Sequence, residues 1–349
     1  MKDIAAKAGV HQTTVSLALR NDPRISKATR EKVQQLAQEM GYVPDPALTS
    51  LVAYRRSSRI VREKEMIALI FDVTDPKDFN ESEYLPSIRE EVSLRAESLG
   101  YKVDVFVKGQ HFSSWKMLNR ILRARNIRGV LFGALYHQDD PVCDLEWDQY
   151  SMVKISQAPI ELEIDSVMNN AFFSVRKIMR KLKEMGFRRP AMAGCAVDEH
   201  NTRQVYRAGF LYGQMRHYAP ENHIPFYEFE RKPGPQLVEE IHGWLCEVKP
   251  DVFMSYWNNL CESAYRLTTV QGHHCPFVCV EADRFTRVMG GLRNNYRKMA
   301  RTAVEMLISK MQMNERGIPD SATMTLIDSK WTDLGPWPPE ASIESMMLH

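Results

Sequence analysis

The residues best suited to do chemistry in this 349-residue chain stand almost at its start. His11-Gln12-Thr13-Thr14-Val15-Ser16-Leu17 gathers small hydrogen-bonding side chains on a short stretch. Val15, Ala18 and Leu19 give that stretch an apolar face, and Gln12, Thr13, Thr14 and Ser16 point the other way. Polar residues that open a short helix in this way suit insertion into a DNA major groove, where base edges offer donors and acceptors. The preceding run, Lys2 to Val10, reads as a first helix. Ile4, Ala5 and Ala8 lie three or four apart on one face. Gly9 ends it, because a left-handed residue costs least there, and Val10 packs in the turn.

Other chemistry is sparse. The chain has no G-x-S-x-G, no G-x-x-x-x-G-K-[ST] and no H-E-x-x-H motif, so no catalytic residue is assigned. Asp139-Asp140 and Glu281-x-Asp283 are short acidic pairs of the kind found in solvated loops and at strand ends. The six cysteines form no C-x-x-C pair, and they are expected to be reduced, buried thiols in a cytoplasmic protein. No metal and no cofactor is expected, although His273-His274-Cys275 is the one place where a metal reading arises. No signal peptide is visible, no run is long enough to span a membrane, and no membrane association is expected. The net charge of +2 becomes informative once divided. Residues 1–60 hold ten Lys/Arg against five Asp/Glu, which leaves about −3 for the remainder. Basic charge gathered on a small domain is the electrostatic footprint of phosphate binding, with Arg24 and Arg30 among the contributors.

The elements that must hold the polar stretch follow from the next forty residues. Asn21-Asp22-Pro23-Arg24 is a turn by composition. Ser26 caps a third helix, in which Val33, Leu36, Ala37 and Met40 repeat at helical spacing and close a three-helix core before Gly41. Then comes Tyr42-Val43-Pro44-Asp45-Pro46-Ala47-Leu48-Thr49-Ser50-Leu51. From Lys2 to Leu51 the chain resembles the DNA-binding headpiece and hinge of the LacI/GalR repressor family. It meets the family patterns D-[IV]-A-x-x-A-G-V, T-V-S, V-S-x-x-T-R-x-x-V and G-Y-x-P-[ND] almost in order. The resemblance implies a sequence-specific regulator, a repressor of operator DNA, with His11, Gln12, Thr13, Thr14, Ser16 and Leu17 on the recognition helix and Arg24 and Arg30 at phosphates. It implies a hinge helix from Pro46 whose apolar face includes Leu48 and Leu51, with Leu51 wedged into the minor groove. Two departures stand out. His11 replaces the usual serine, and Leu17 stands where an arginine often reads guanine, so Leu17 either packs or meets a thymine methyl.

Beyond a basic linker the pattern changes to alternating strands and helices. Met66–Phe71, Lys102–Val107, Gly129–Phe132 and Ser151–Ile155 read as strands, with helices over Tyr84–Leu99 (Leu85, Ile88, Val92 and Leu94 apolar) and Trp115–Arg125 (Met117, Leu118, Ile121 and Leu122 inward). A second series follows. Its helices are Phe172–Met185, Arg203–Met215, Gln236–Val248 and Leu260–Thr269, and its strands are Ala191–Gly194, Phe226–Phe229, Val252–Tyr256 and Phe277–Val280. The expected fold is α/β: a three-helix headpiece plus two lobes, each a doubly wound parallel sheet. The family resemblance, patchier here, implies a periplasmic-binding-protein-like core. It rests on Val167-Met168-Asn169-Asn170, Gly186-Phe187-Arg188-Arg189-Pro190, Gly209-Phe210 and Gly290-Gly291-Leu292-Arg293-Asn294-Asn295. The expected domains are a headpiece at 1–45, hinge and linker at 46–62, a core at 63–335 and a tail at 336–349. Within the core the N-lobe takes 63–158 and 284–314, and the C-lobe takes 159–283 and 315–335.

The cleft between lobes is the expected ligand site, because such sheets bind ligands outside the carboxyl ends of their strands. Candidate wall residues are Phe71, Asp72, Tyr84, Asn170, Arg203, Tyr206, Trp257, Asn258 and Asp283. Tyr206 stands where the family often places an effector-binding arginine, and Asn259 where an aspartate is usual. Aromatic faces with amide hydrogen bonds suit a sugar or another polyhydroxylated ring. The expected partners are double-stranded operator DNA, a small polar effector and a second copy of the chain. Dimer or tetramer, and inducer or co-repressor, stay open. The rival readings are a solute-binding protein, or an enzyme with an accessory DNA module.

Overall fold

The computed structural model describes residues 1–19, 21–22, 24–42, 64–73, 84–135, 145–156, 162–231, 234–257, 260, 269–270, 273–282 and 290–333. The hinge, with Leu48 and Leu51, lies outside them, as do Asn258, Asp283, most of the expected helix at 260–269 and the tail.

The headpiece is built from α1 (Lys2–Ala8), α2 (Gln12–Ala18) and α3 (Lys27–Glu39). Gly9 closes α1 at φ 72°, and its N–H returns to the carbonyls of Ala5 and Ala6. Ser26 caps α3 by accepting from the Thr29 amide at 3.3 Å. Ile4, Ala5, Ala8, Val15, Ala18, Val33 and Ala37 form the buried core, with Val10, Leu19, Leu36 and Met40 packed at its edge.

The N-lobe is a six-stranded sheet in the order β13-β5-β4-β3-β1-β2. Its strands are β1 (Met66–Asp72), β2 (Lys102–Val107), β3 (Gly129–Leu135), β4 (Ser151–Lys154), β5 (Ser166–Asn169) and β13 (Met324–Ile327), paired in parallel throughout. Helix α4 (Tyr84–Ser98) and helix α10 (Tyr296–Met313) cover one face, and α5 (Trp115–Ala124) covers the other. The inward assignment of Met117 is corrected, and Leu94, read among the apolar residues of α4, lies outside its buried face. Leu94 of α4 is 55% exposed and Met117 of α5 is 43% exposed. The buried face of α4 runs through Leu85, Ile88, Val92 and Ala96, and that of α5 through Trp115, Leu118 and Leu122. At 100° per residue, Leu94 lies far round from Val92, and Met117 is turned away from Leu118.

The C-lobe sheet runs β14-β12-β11-β8-β6-β7. It comprises β6 (Pro190–Cys195), β7 (Tyr227–Phe229), β8 (Val252–Ser255), β11 (Phe277–Ala282), β12 (Gly290–Arg293) and β14 (Lys330–Asp333), with β14 alone antiparallel. Helices α6 (Ala171–Glu184) and α8 (Val205–His217) cover one face, and α9 (Gly234–Val248) covers the other. The short α7 (Ala196–Asn201) follows β6 directly. The expected helical start at Arg203 is corrected. Arg203 and Gln204 both take left-handed backbone, at φ 53° and 58°, where the chain turns from α7 into α8. Thr269 belongs to β9 (Thr269–Val270), which pairs with β10 (His273–His274) in a two-stranded ribbon rather than ending a helix.

The lobe boundaries also need correcting, because pairing rather than chain order decides them. β5 and β13 hydrogen-bond within the N-lobe sheet, and β12 within the C-lobe sheet. The chain therefore crosses at 169–171, 293–296 and 327–330 rather than near 158, 284 and 315. Side chains tie the crossings together. Asn170 donates to Asp328 at 3.0 Å, the Ser174 and Ser329 hydroxyls meet at 3.1 Å, and Ser329 donates to Asn294 Oδ1 at 2.6 Å.

Gly291 on β12 allows the closest backbone approach in this region. A Cβ there would lie 2.4 Å from the Cys279 carbonyl oxygen and 2.8 Å from Ala282 Cβ. Backbone of a buried strand cannot yield cheaply, so Gly291→Ala is expected to destabilise the C-lobe by about 1–3 kcal/mol, the usual cost of overpacking. Urea unfolding checks this, and an unchanged midpoint would show that the strands separate freely.

Candidate nucleic-acid interface and inter-lobe site

On α2, Gln12 and Thr13 are exposed, Thr14 and Ser16 half-buried, and Val15 and Ala18 fully buried. The polar face expected from the sequence is therefore presented outward by a packed three-helix core. His11 has a definite local role. It precedes the helix in extended backbone, its Nδ1 accepts from the Thr13 amide at 3.4 Å, and the same nitrogen lies 2.9 Å from the Thr13 hydroxyl. The imidazole thus caps α2 as a serine hydroxyl would. Leu17 is half-buried yet stands apart from the headpiece core, which takes Leu19 instead. Arg24 pairs with Asp22 at 2.8 Å, and the Arg30 guanidinium donates to the Asn21 carbonyl at 3.1 Å. Both cations are fixed at the turn between α2 and α3. The Asn314 side-chain amide, at the end of α10, donates to the same Asn21 carbonyl, and Leu17 and Arg24 border a groove with Tyr101, Arg128 and Arg316 of the N-lobe.

Between the lobes, residues from separate elements converge at the crossings. Asn169 ends β5, Tyr206 opens α8 and Glu281 lies near the end of β11. The Tyr206 hydroxyl and the Asn169 side-chain amide both donate to Glu281 Oε1, and Asn169 also reaches the Tyr206 oxygen at 3.3 Å. Tyr206 stacks on Tyr256, just beyond β8, with ring centroids 4.3 Å apart. Behind Tyr256 sits Glu199 of α7, only 1% exposed. Its Oε2 accepts from the Arg207 amide at 3.3 Å and the Tyr256 hydroxyl lies against the carboxyl group, while Oε1 has no hydrogen-bond partner among the described residues. Burial pushes the Glu199 carboxyl up to about 7. Burial likewise raises Glu281 and Asp198, and it holds the Tyr206 phenol well above its ordinary value, with Glu281 adding to the effect. On the N-lobe side, Asp72 at the end of β1 is buried and pairs with Lys108 at 3.1 Å.

Of the candidate wall residues, Tyr206 sits in this cluster and Asp72 at the matching edge of the N-lobe sheet. Phe71 is fully buried in the N-lobe core, because strand alternation turns it away from the edge. Tyr84 is committed to fold, donating to the carbonyls of Gly133 at 2.8 Å and Ile155 at 2.7 Å. Asn170 belongs to the crossing network. Arg203 is exposed on the turn outside the cluster, beside His200 and Arg207. Trp257 is half-buried, with its ring 5.1 Å from Phe229. Glu281, expected in a solvated acidic pair, is instead bonded within the cluster. Sequence reasoning also passed over Asn169, Glu199 and Tyr256 as site residues. Only Asn169 carried a signal, standing where the family motif has aspartate. Among the described residues no group of three or more His, Cys, Asp and Glu is placed to hold a metal.

The matches with known proteins follow this geometry. Residues 1–45 match the family model for bacterial regulatory proteins of the lacI family. The headpiece is thus similar to the DNA-binding domain of that family. The chain is 26% identical over 189 residues to the transcriptional repressor CytR of Escherichia coli, covering 54% of this chain and spanning about half (51%) of that relative. It is 24% identical over 345 residues to the transcriptional repressor MelR of Bacillus subtilis, covering 93% of this chain and 94% of MelR. Among solved structures, a complex of the regulator CelR with cellobiose superposes with a TM-score of 0.57 at 18% identity, covering 95% of this chain and 98% of CelR. A lac repressor dimer bound to operator and an anti-inducer gives 0.57 at 16% identity, covering 95% and 96%. These likenesses confirm the two-lobed fold behind a helical headpiece.

The buried acid makes stability depend on pH in a definite direction. With Glu199 titrating near 7 in the native state and near the ordinary glutamate value when unfolded, the folded chain holds a proton that the unfolded chain has lost. This contribution is full below about pH 4.3 and is lost as pH rises through 7. Wild type should therefore lose more stability between pH 5 and 7.5 than Glu199→Gln, measured by denaturant midpoints. Parallel profiles would show that Glu199 is ionised throughout.

Proposed function

We propose that this chain is a DNA-binding transcriptional regulator, a repressor, whose operator affinity is set by a small polar ligand held between the lobes. The observation that carries the reading is the recognition helix: α2, capped by His11, presents Gln12 and Thr13 outward from a packed three-helix core. Gln12, Thr13, Thr14 and Ser16 read base edges, and Leu17, outside that core, meets a thymine methyl. Arg24 and Arg30 take phosphates and hold register. Residues 46–62, with Leu48 and Leu51, serve as the hinge that enters the minor groove. One headpiece covers half a site, so useful affinity asks for a homodimer. Exposed Leu94 on α4 supports a dimer surface on the lobes.

The ligand site in this reading is the Asn169–Glu281–Tyr206 cluster with Tyr256, together with Asp72 and Lys108 at the carboxyl edge of the N-lobe sheet. Stacked rings beside carboxyl and amide groups suit a sugar or another polyhydroxylated ring, as the cellobiose complex of CelR illustrates for that protein. A ligand that prefers one lobe arrangement shifts operator affinity only by its differential affinity for the two.

The DNA test is half-site selection. Gln12→Ala should change the preferred sequence and weaken the best site by about 1–3 kcal/mol per lost base contact. Arg30→Ala should weaken all sequences alike and flatten the salt dependence. An unaltered selection profile for Gln12→Ala would remove that residue from the interface. For the ligand site, calorimetry against a panel of mono- and disaccharides should show binding that falls at least tenfold in Tyr206→Phe with DNA binding intact. Equal affinity of the two proteins would place the ligand elsewhere.

A further inference from the structure

Helix α8 carries two apolar faces. The inner one packs on α6 at close range, since Cβ atoms at Gly209 and Gly213 would lie 2.9 Å from the Phe172 carbonyl oxygen and 2.6 Å from Met179 Cγ. The outer one is exposed: Ala208, Leu211, Tyr212 and Met215 repeat at helical spacing, and Met215 is 79% exposed. Phe173 of α6, 47% exposed, extends this stripe. A second apolar stripe on a surface helix is the mark of a covered face.

Its surroundings are basic. The Arg176 guanidinium lies 4.4 Å from the Tyr212 ring and 4.9 Å from that of Phe173. Arg180, Lys183 and Arg216 stand nearby. After partial burial, it is Arg216, Arg176, Arg180 and Lys183 that push His217 below its ordinary value. An isologous pairing of two copies through this face would oppose like charges.

The sequence beyond β14 has the complementary chemistry. Residues 334–349 contain Glu340 and Glu344, no Lys or Arg, and the apolar Ile343, Met346, Met347 and Leu348. Glu340 with Glu344, and Ile343 with Met347, share the four-residue spacing of a helix face. The chain leaves β14 at Asp333, and Trp331 of that strand lines a cavity of about 190 Å³ with Lys177, Arg180 and Lys181 of α6. Six residues from there reach up to roughly 20 Å, about two helix diameters. We infer that residues 340–349 dock on the outer face of α6 and α8, covering Phe173, Tyr212 and Met215 and placing Glu340 and Glu344 among the arginines.

The test uses the chain ended after Asp333 and a synthetic peptide of residues 334–349, with binding followed by calorimetry. The peptide should bind the shortened chain, and bind the full chain at least tenfold more weakly because its own tail competes. Met215→Glu, at an exposed position that leaves the fold intact by circular dichroism, should lower peptide affinity at least tenfold. Arg180→Glu should also weaken binding, and a peptide with Glu340→Lys and Glu344→Lys should recover it. Equal binding of a scrambled peptide, indifference to Met215→Glu, or no binding by the shortened chain would overturn the inference. So would dimerisation of the shortened chain through this face without peptide binding, since that would assign it to a second copy.

Discussion

Three passages of the chain between two parallel sheets constrain everything else in the core. β5 runs into α6, β12 into α10 and β13 into β14, so the carboxyl ends of β5, β12 and β13 all lie at the junction of the lobes. Polar side chains at a junction must find partners or water. Here Asn170, Asp328, Ser174, Ser329 and Asn294 satisfy one another across all three passages. Movement between the lobes has to rearrange these bonds, which makes the junction a natural hinge with discrete arrangements.

The Tyr206–Glu281–Asn169 cluster is built on the same junction. A carboxyl group partly withdrawn from water stays there only if its oxygen is satisfied, and here a phenol and an amide converge on it. A tyrosine at position 206 fits this arrangement where a guanidinium would demand a different set of acceptors. The stack onto Tyr256 then carries the network toward Glu199, whose Oε1 has no partner among the described residues. Such a group is costly in an apolar setting, and protonation near neutral pH lowers that cost.

The headpiece is a separate solution to a smaller problem. Its core holds seven buried side chains among the described residues, and helices as short as α1 and α2 form only because they share that core. The cap supplied by His11 shows how a departure from a family pattern keeps its physical role: the position needs an acceptor for the Thr13 amide, and an imidazole nitrogen serves.

What the sequence alone determined is local. Helical spacing located all three headpiece helices, Ser26 and Gly9 marked their ends, and apolar runs located the main strands, because period and caps are written in neighbouring residues. Motif order from Lys2 to Leu51 carried the resemblance to the LacI/GalR family for the same reason. What only the tertiary structure decided depends on distant partners. The lobe to which β5, β12 and β13 belong is set by pairing with strands elsewhere in the chain, as when Met324 meets Ser166 and Gly290 meets Asp333. Whether Leu94 and Met117 face inward is settled by helix rotation against a particular sheet. Phe71 and Tyr84 carry the right chemistry for a pocket but are consumed by packing and by carbonyl partners, whereas Asn169, Glu199, Tyr256 and Glu281 become a cluster only because separate strands and helices end at one place. No spacing along the chain records that convergence.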